Sequence, residues 1–295
     1  MRYKINDNFG LKGAATFHHQ FVSQNSLSPF QNTDQFYWVL SDIEILPVQK
    51  STHFILGANY GSGNWTFDVE YYRKNTTGIV ENQFLNIPPG VIRVLDFQNV
   101  NLSGENTAEG MDLFIKYRNK RFSSWLSYSL SSSRNQFWYI NENTTYPSRQ
   151  DQRHEINLTT ILKLGRWELS SLFLFGSGKP FTPPNIVSTQ SLDTVAVDGS
   201  NIYDLTRING DRLPAYHRLD VSAKYSFPLG KTDCEAGITL FNLFNRRNIK
   251  SRRYTVQYVF DENSADVNAT DEARIVALDT PLLGFTPNFF VNIRF

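Results

Sequence analysis

Two histidine-bearing segments, His18-His19 and Arg153-His154-Glu155, carry residue types that bind transition metals. Neighbouring side chains of a strand point to opposite faces, so the adjacent histidines cannot close on one ion from regular β-structure, and both segments read as structural. A third candidate, the acidic series Asp261, Glu262, Asp266, Asp271 and Glu272, lacks the Asp/Asn/Gly spacing of a calcium loop and reads as a solvated loop. No serine stands in a nucleophile elbow, and the 5 histidines are scattered, so nothing supports hydrolysis. The single Cys234 has no partner for a disulfide or a zinc knuckle and reads as a small packed residue. Asn64-Trp65-Thr66, Asn75-Thr76-Thr77 and Asn157-Leu158-Thr159 have the form of glycosylation acceptors, but Asn157 falls inside an expected strand where a glycan is awkward. The expectation is a protein with no catalytic residue, no metal and no cofactor.

What remains is binding, and composition narrows the partner. Lys and Arg number 29 against 28 Asp and Glu, a formal net charge of +1, so no global basic field exists to hold a nucleic acid. The pairs Arg246-Arg247 and Arg252-Arg253 are local charge. No stretch approaches the roughly 18 apolar residues of a membrane-spanning helix. The opening residues, Met1 to Asp7, lack the apolar run of a signal peptide, so the chain reads either as soluble or as missing its beginning.

The elements that must position any site show period two. Phe289, Val291, Ile293 and Phe295 alternate with Asn288, Phe290, Asn292 and Arg294; His217, Leu219, Val221, Ala223, Tyr225 and Phe227 alternate with polar Arg218, Asp220, Ser222, Lys224 and Ser226. Met111 to Tyr117, Phe122 to Leu130 and Trp65 to Tyr71 repeat the pattern, and weaker alternation marks Leu11 to Ser23, Phe54 to Tyr60, Ile156 to Leu164, Trp167 to Phe175 and Ala236 to Leu240. With a partial strand near Tyr3 to Ile5 this predicts about eleven strands of ~10 residues, enough to cross an apolar band of ~25 Å at a tilt. Asp34 to Asp42 reads as a loop with a helical turn.

Connections decide the class. Tight turns at Gly61 to Asn64, Arg118 to Arg121, Leu164 to Arg166 and Pro228 to Lys231 alternate with long segments at Gln24 to Lys50, Gly78 to Asn106, Asn135 to Gln152, Ser177 to Ala215 and Asn245 to Phe285. Short turns at one rim and long loops at the other describe an up-and-down outer-membrane β-barrel, with aromatics such as Trp65, Tyr117, Phe122, Trp167, Tyr216, Phe227 and Phe295 as interfacial girdles. A soluble β-sandwich shares the alternation and stays as the alternative. On the barrel reading the lumen face carries Lys12, Asp68, Glu70, Asp112, Lys116, Arg118, Arg218, Asp220, Lys224 and Arg294. Extracellular aromatics at Phe36, Tyr37 and Trp38 and at Phe137, Trp138 and Tyr139 are candidate ligand contacts, or else belong to a girdle or to loop packing.

Several motifs add a resemblance. Leu46-Pro47-Val48, Glu70-Tyr71-Tyr72-Arg73-Lys74, Gly110 before Met111, Trp125 to Ser131, Asp151 to Leu158, the two more specific stretches Ser177 to Thr182 and Arg212 to Asp220, Phe241-Asn242-Leu243-Phe244-Asn245 and the close Pro287 to Phe295 follow one another in order. In order and spacing they resemble the C-terminal barrel half of TonB-dependent receptors, especially those of Bacteroidetes, over nearly the whole chain. The resemblance implies a 22-stranded barrel in the outer membrane of a Gram-negative bacterium, plugged by an N-terminal domain. Its function would be uptake of a scarce solute such as an iron chelate, cobalamin, an oligosaccharide or a peptide. The implied partners are outer-membrane lipid, the plug, TonB through the plug, the barrel-assembly machinery reading Phe295, and a surface lipoprotein. Residues 1–295 would then be a partial barrel domain without plug, TonB box or signal peptide. A half wall leaves two edges whose backbone groups lipid cannot satisfy, so it needs further strands. A stand-alone, porin-like barrel of ten strands is the second membrane reading.

Overall fold

The computed structural model of the chain describes residues 1–26, 36–41, 46–83, 100–138, 141–184, 205–230, 232–260 and 270–294. In chain order the strands are β1 (Arg2–Lys4), β2 (Phe9–Gln20), β3 (Val22–Ser26), β4 (Phe36–Leu40), β5 (Gln49–Ser62), β6 (Trp65–Gln83), β7 (Val100–Arg118), β8 (Phe122–Phe137) and β9 (Tyr146–Pro147). They continue with β10 (His154–Leu164), β11 (Trp167–Gly176), β12 (Pro180–Phe181), β13 (Asp211–Arg212), β14 (Tyr216–Leu229), β15 (Thr232–Phe241), β16 (Ile249–Phe260), β17 (Thr270–Pro281) and β18 (Thr286–Arg294). Eleven of them form one antiparallel path, β1-β2-β5-β6-β7-β8-β10-β11-β14-β15-β18, with β9 added beside β8. The path has two ends, β1 and β18, which pair with no further strand among the described residues.

The expected alternation sorts cleanly across this sheet. Register pairs Phe67 with Ile115, Ile115 with Leu126 and Leu126 with Leu158, then Leu169 with Ala223, Ala223 with Ile238 and Ile238 with Phe289. All of these sit on one apolar face. Polar atoms on that face satisfy one another: the Ser124 hydroxyl bonds the Thr159 carbonyl and the Thr160 hydroxyl, each at 3.1 Å. That is the condition for hydroxyls facing lipid. Only Leu46, Phe137, Tyr146, Ile208 and Cys234 are buried apolar residues among those described, and Phe137, Tyr146 and Ile208 cluster above the sheet. A β-sandwich needs a second sheet and a dry interior between the two, so the soluble alternative does not describe this chain.

Aromatic rings gather where the short turns lie. Trp65 and Tyr117 meet at 4.7 Å between centroids, Tyr117 and Phe122 at 6.0 Å, and Trp167 and Tyr225 at 4.8 Å, all on the apolar face within a few residues of a turn. Three of the short turns are tight because Gly63, Gly165 and Gly230 take positive φ, while in the turn before Phe122 the Asn119 side chain accepts the N–H groups of Arg121 and Phe122.

At the opposite rim the structure departs from expectation. The segment expected as a loop with a helical turn at Asp34 to Asp42 contains β4, which pairs with β3 through Tyr37 with Asn25 and Trp38 with Gln24. Phe-Tyr-Trp-Val-Leu is rich in strand formers, and a cross-strand partner overrode its lack of alternation. The long segment Gly78 to Asn106 is partly strand: β6 and β7 extend as a 19-residue pair past a register shift between Thr77 and Ile79. Gly78, at φ +76, occupies that bulge, and a Cβ there would meet the Val48 carbonyl at 2.9 Å. The segment Asn245 to Phe285 folds back as the hairpin β16–β17.

Candidate functional site

All ten residues expected in the lumen share the polar face. Glu70 stands opposite Asp112, Arg218 opposite Leu174, and Lys224 opposite Glu168, each at a register position of the inner parity. The residues form clusters. Lys12 Nζ reaches Asp68 at 2.7 Å and also pairs with Glu70. It does so by passing over β5 at Gly57, where a Cβ would stand 2.7 Å from the lysine stem. Asp112 accepts a bond from the Ser129 hydroxyl at 2.6 Å. The Arg218 guanidinium pairs with Asp220 at 2.9 Å and lies 4.1 Å from the centre of the Phe241 ring.

A longer chain of charges crosses five strands on the short-turn side. Lys163 pairs with Glu168 at 3.4 Å, Glu168 with Lys224 at 3.5 Å, Lys224 with Glu235 at 3.3 Å, and Glu235 with Arg294 at 3.9 Å. Sequence reasoning named Lys224 and Arg294 but missed Lys163, Glu168 and Glu235. The signal was present in the polar parity of three strands, but their alternation is too weak to show which face each charge takes. Lys116 and Arg118 lie on the same face without an ion pair among the described residues.

The aromatic candidates separate. Trp38 is 68% exposed and Trp138 63% exposed, both on the long-loop side. Phe36 and Tyr37 belong to β4. Phe137, expected as a ligand contact, is 1% exposed, packed against Tyr146 with ring centroids 6.4 Å apart and against Ile208. Loop packing, the other role foreseen for these aromatics, claims it, because the β8–β9 pairing folds the following loop back over it. Tyr139 and the expected assembly signal Phe295 lie outside the described residues.

Polar latches hold the loops above this core. Asp151, 1% exposed, accepts the Ser133 N–H at 2.7 Å and pairs with Arg212, whose guanidinium also donates to the carbonyls of Asp151 at 3.0 Å and Gly178 at 2.9 Å. Gly178 and Arg212 belong to the stretches Ser177 to Thr182 and Arg212 to Asp220 that help carry the resemblance, and the two segments pair with each other through β12 and β13. Asn242, fully buried at φ 51, donates its backbone N–H to the Asp220 carboxylate at 2.8 Å and its side-chain amide to the carbonyls of Arg246 and Leu283, each at 3.0 Å. Asparagine tolerates this left-handed turn and supplies the bonds.

The β16–β17 hairpin, beyond the wall strands, is closed by Arg252. Its guanidinium grips Asp279 at 2.6 and 2.8 Å and lies 5.6 Å from the Phe181 ring. The hydrogen bond to Arg252, with its charge, holds the Asp279 carboxyl below the usual carboxylate range. A depressed carboxylate contributes stability that is fully present above its unfolded pKa of ~3.9 and is lost as pH falls through the lower folded value. Amide-exchange protection of this hairpin should therefore stay level from pH 7 to about pH 5 and collapse below about pH 4. In Asp279→Asn the protection should be lower throughout and flat across that window. An unchanged pH profile in the variant would remove Asp279 as the titrating group.

The model of a family described as TonB dependent receptor-like, beta-barrel, matches residues 1–249. No curated protein sequence matches. Among solved structures, the ferripyoverdine receptor of the Pseudomonas aeruginosa outer membrane aligns with TM-score 0.57 at 12% identity, over 84% of this chain and 29% of that one. The ferric yersiniabactin uptake receptor FyuA of Yersinia pestis aligns with TM-score 0.52 at 15% identity, over 99% and 36%. The ferric citrate transporter FecA aligns with TM-score 0.53 at 14% identity, over 99% and 37%. At such identities these likenesses carry the fold alone. The chain spans about a third of the length of these structures.

Proposed function

Because the chain belongs to the TonB-dependent receptor β-barrel family, we propose that it forms part of the wall of an outer-membrane receptor that takes up a scarce solute, and that it is not an enzyme. The single observation that supports this most is one sheet with two unlike faces. The outer one is apolar and ringed by aromatics at the short-turn rim; the inner one carries a linked charge network. The unpaired edges at β1 and β18 support a wall completed by further strands of the same receptor, since lipid satisfies no backbone group. A plug filling the lumen would meet the inner charges, TonB would act through that plug, and the barrel-assembly machinery would insert the wall. The exposed Trp38 and Trp138, on the long-loop side, suit stacking against an iron chelate, cobalamin, a sugar or a peptide, and that rim would meet any surface lipoprotein partner.

The test uses the complete receptor in cells. In a Cys234→Ser background, Trp138→Cys should react with a membrane-impermeant maleimide on intact cells, while Arg166→Cys at a short turn should react only after the outer membrane is opened. Uptake of the solute should stop when a protonophore collapses the inner-membrane gradient. Labelling of both positions from outside would reject the wall topology; uptake that persists without the gradient would point to a passive pore.

A further inference from the structure

His18 and His19 cannot share an ion from one strand, but that exclusion does not reach across strands. In the antiparallel register of β2 and β5, Thr16 stands opposite His53 and His18 opposite Ser51, so the two histidines are diagonal neighbours on the face that carries Lys12. Their ring centroids lie 4.7 Å apart, with the planes inclined at 48°. Two imidazoles bound to one ion at a metal–nitrogen distance of ~2.0–2.1 Å, and at a tetrahedral or square-planar angle, have centroids about 4.5–5.2 Å apart. The rings of His18 and His53 already stand at that separation. Each ring is also held through one nitrogen. His18 Nε2 lies 3.0 Å from the Thr16 hydroxyl, and His53 Nε2 lies 2.9 Å from the Ser51 hydroxyl, which is itself 2.9 Å from the Thr76 hydroxyl. The tautomer that donates Nε2–H to both oxygens leaves the two Nδ1 lone pairs for an ion. An oxygen that fixes the second nitrogen is the usual support of a ligating imidazole.

We propose that His18 and His53 together bind one divalent transition-metal ion, Cu(II) most tightly, in an open site from which the ion exchanges readily. The inference goes beyond solute uptake by the wall and stands on the register of two strands. Three features select the ligand. Imidazole nitrogen favours borderline ions such as Cu(II), Ni(II) and Zn(II) over Ca(II) and Mg(II), which take oxygen, and Cu(II) heads that series. No third His, Cys, Asp or Glu joins the pair among the described residues, and His18 is exposed, so water or a small ligand completes the coordination. Lys74 stands opposite His53 on β6 and opposes a further cation, which sets the affinity below that of a closed structural site. Ring packing does not account for the pair, because an exposed imidazole on a wet face removes little apolar surface from water by approaching another.

The complete receptor, purified in detergent and stripped of metal with EDTA, is titrated with Cu(II) alone and followed by electron paramagnetic resonance. One equivalent of bound ion should show two coordinating nitrogens. His18→Gln and His53→Gln should each weaken binding at least about tenfold and leave one nitrogen, since the second imidazole binds as an intramolecular partner of the first. For the same reason the double variant should bind little worse than either single one. His19→Gln removes a histidine from the opposite face of the same strand and should leave the titration unchanged. Lys74→Gln should tighten binding about fivefold, and raised salt should narrow that gain. Zn(II) should compete for the site more weakly than Cu(II). Heat-modifiable migration reports the folded barrel in each variant; where a glutamine variant loses it, the asparagine substitution carries the test. Binding that survives the loss of either histidine, a one-nitrogen signal in the parent, an equal loss in His19→Gln or weaker binding in Lys74→Gln would overturn the proposal.

Discussion

Leu126→Arg in the complete receptor is expected to lower the free energy of folding into lipid by about 2–4 kcal/mol, whereas Ser127→Arg, one residue away, should change it little. Leu126 pairs across the sheet with Ile115 on one side and Leu158 on the other, at the centre of the apolar face. It lies four residues beyond Phe122 of the aromatic girdle. At ~3.3 Å per residue and a tilt near 45° that is roughly 9 Å into the apolar band, close to its midplane. An arginine there brings a charge into hydrocarbon between the apolar register partners Ile115 and Leu158, neither of which offers an opposite charge. Ser127 has the opposite parity and looks onto the wet interior beside Phe114 and Asn157. Denaturant titration of refolding into lipid vesicles measures both variants. Equal losses, or a larger loss for Ser127→Arg, would show that the faces have been exchanged and with them every lumen residue named here.

The second large effect is expected at Asp151, in the loops rather than the wall. Asp151→Ala strips an acceptor from the Ser133 N–H and the counter-charge from Arg212 in a position 1% exposed. Breaking a buried pair costs about 3–5 kcal/mol; Arg212 keeps 35% of its side-chain surface open, so about 3 kcal/mol is expected here. The loss should be local. Amide exchange at Ser133 and protease cleavage between β8 and β10 should rise at least tenfold, while wall strands such as β14 keep their protection. Asp151→Asn retains an oxygen for the Ser133 bond and should fall between the parent and the alanine variant. Parent-like exchange in Asp151→Ala would show that Arg212 holds the loops through its carbonyl bonds alone.

Sequence patterning by itself determined the wall. Alternation in segments such as Tyr216 to Phe227 set strand and shared face together, because a period of two leaves one free choice per strand. The ordered turn lengths placed the tight turns along one rim and the long segments along the other. Tertiary structure alone decided the pairing of charges and the shape of the crown. Lys12 finds Asp68 and Glu70, 56 and 58 residues away, only because Gly57 clears its path across β5, and no local pattern announces that. Phe137 looked like a neighbour of Trp138 offered to a ligand, yet the Tyr146 and Ile208 segments fold over it. His18 meets His53 of the next strand in the sheet and not its chain neighbour His19. Periodicity encodes which side of a sheet a residue takes, because backbone geometry imposes it residue by residue. Which residues meet across strands, and which charges are left without partners, depends on register and loop packing between segments far apart in sequence.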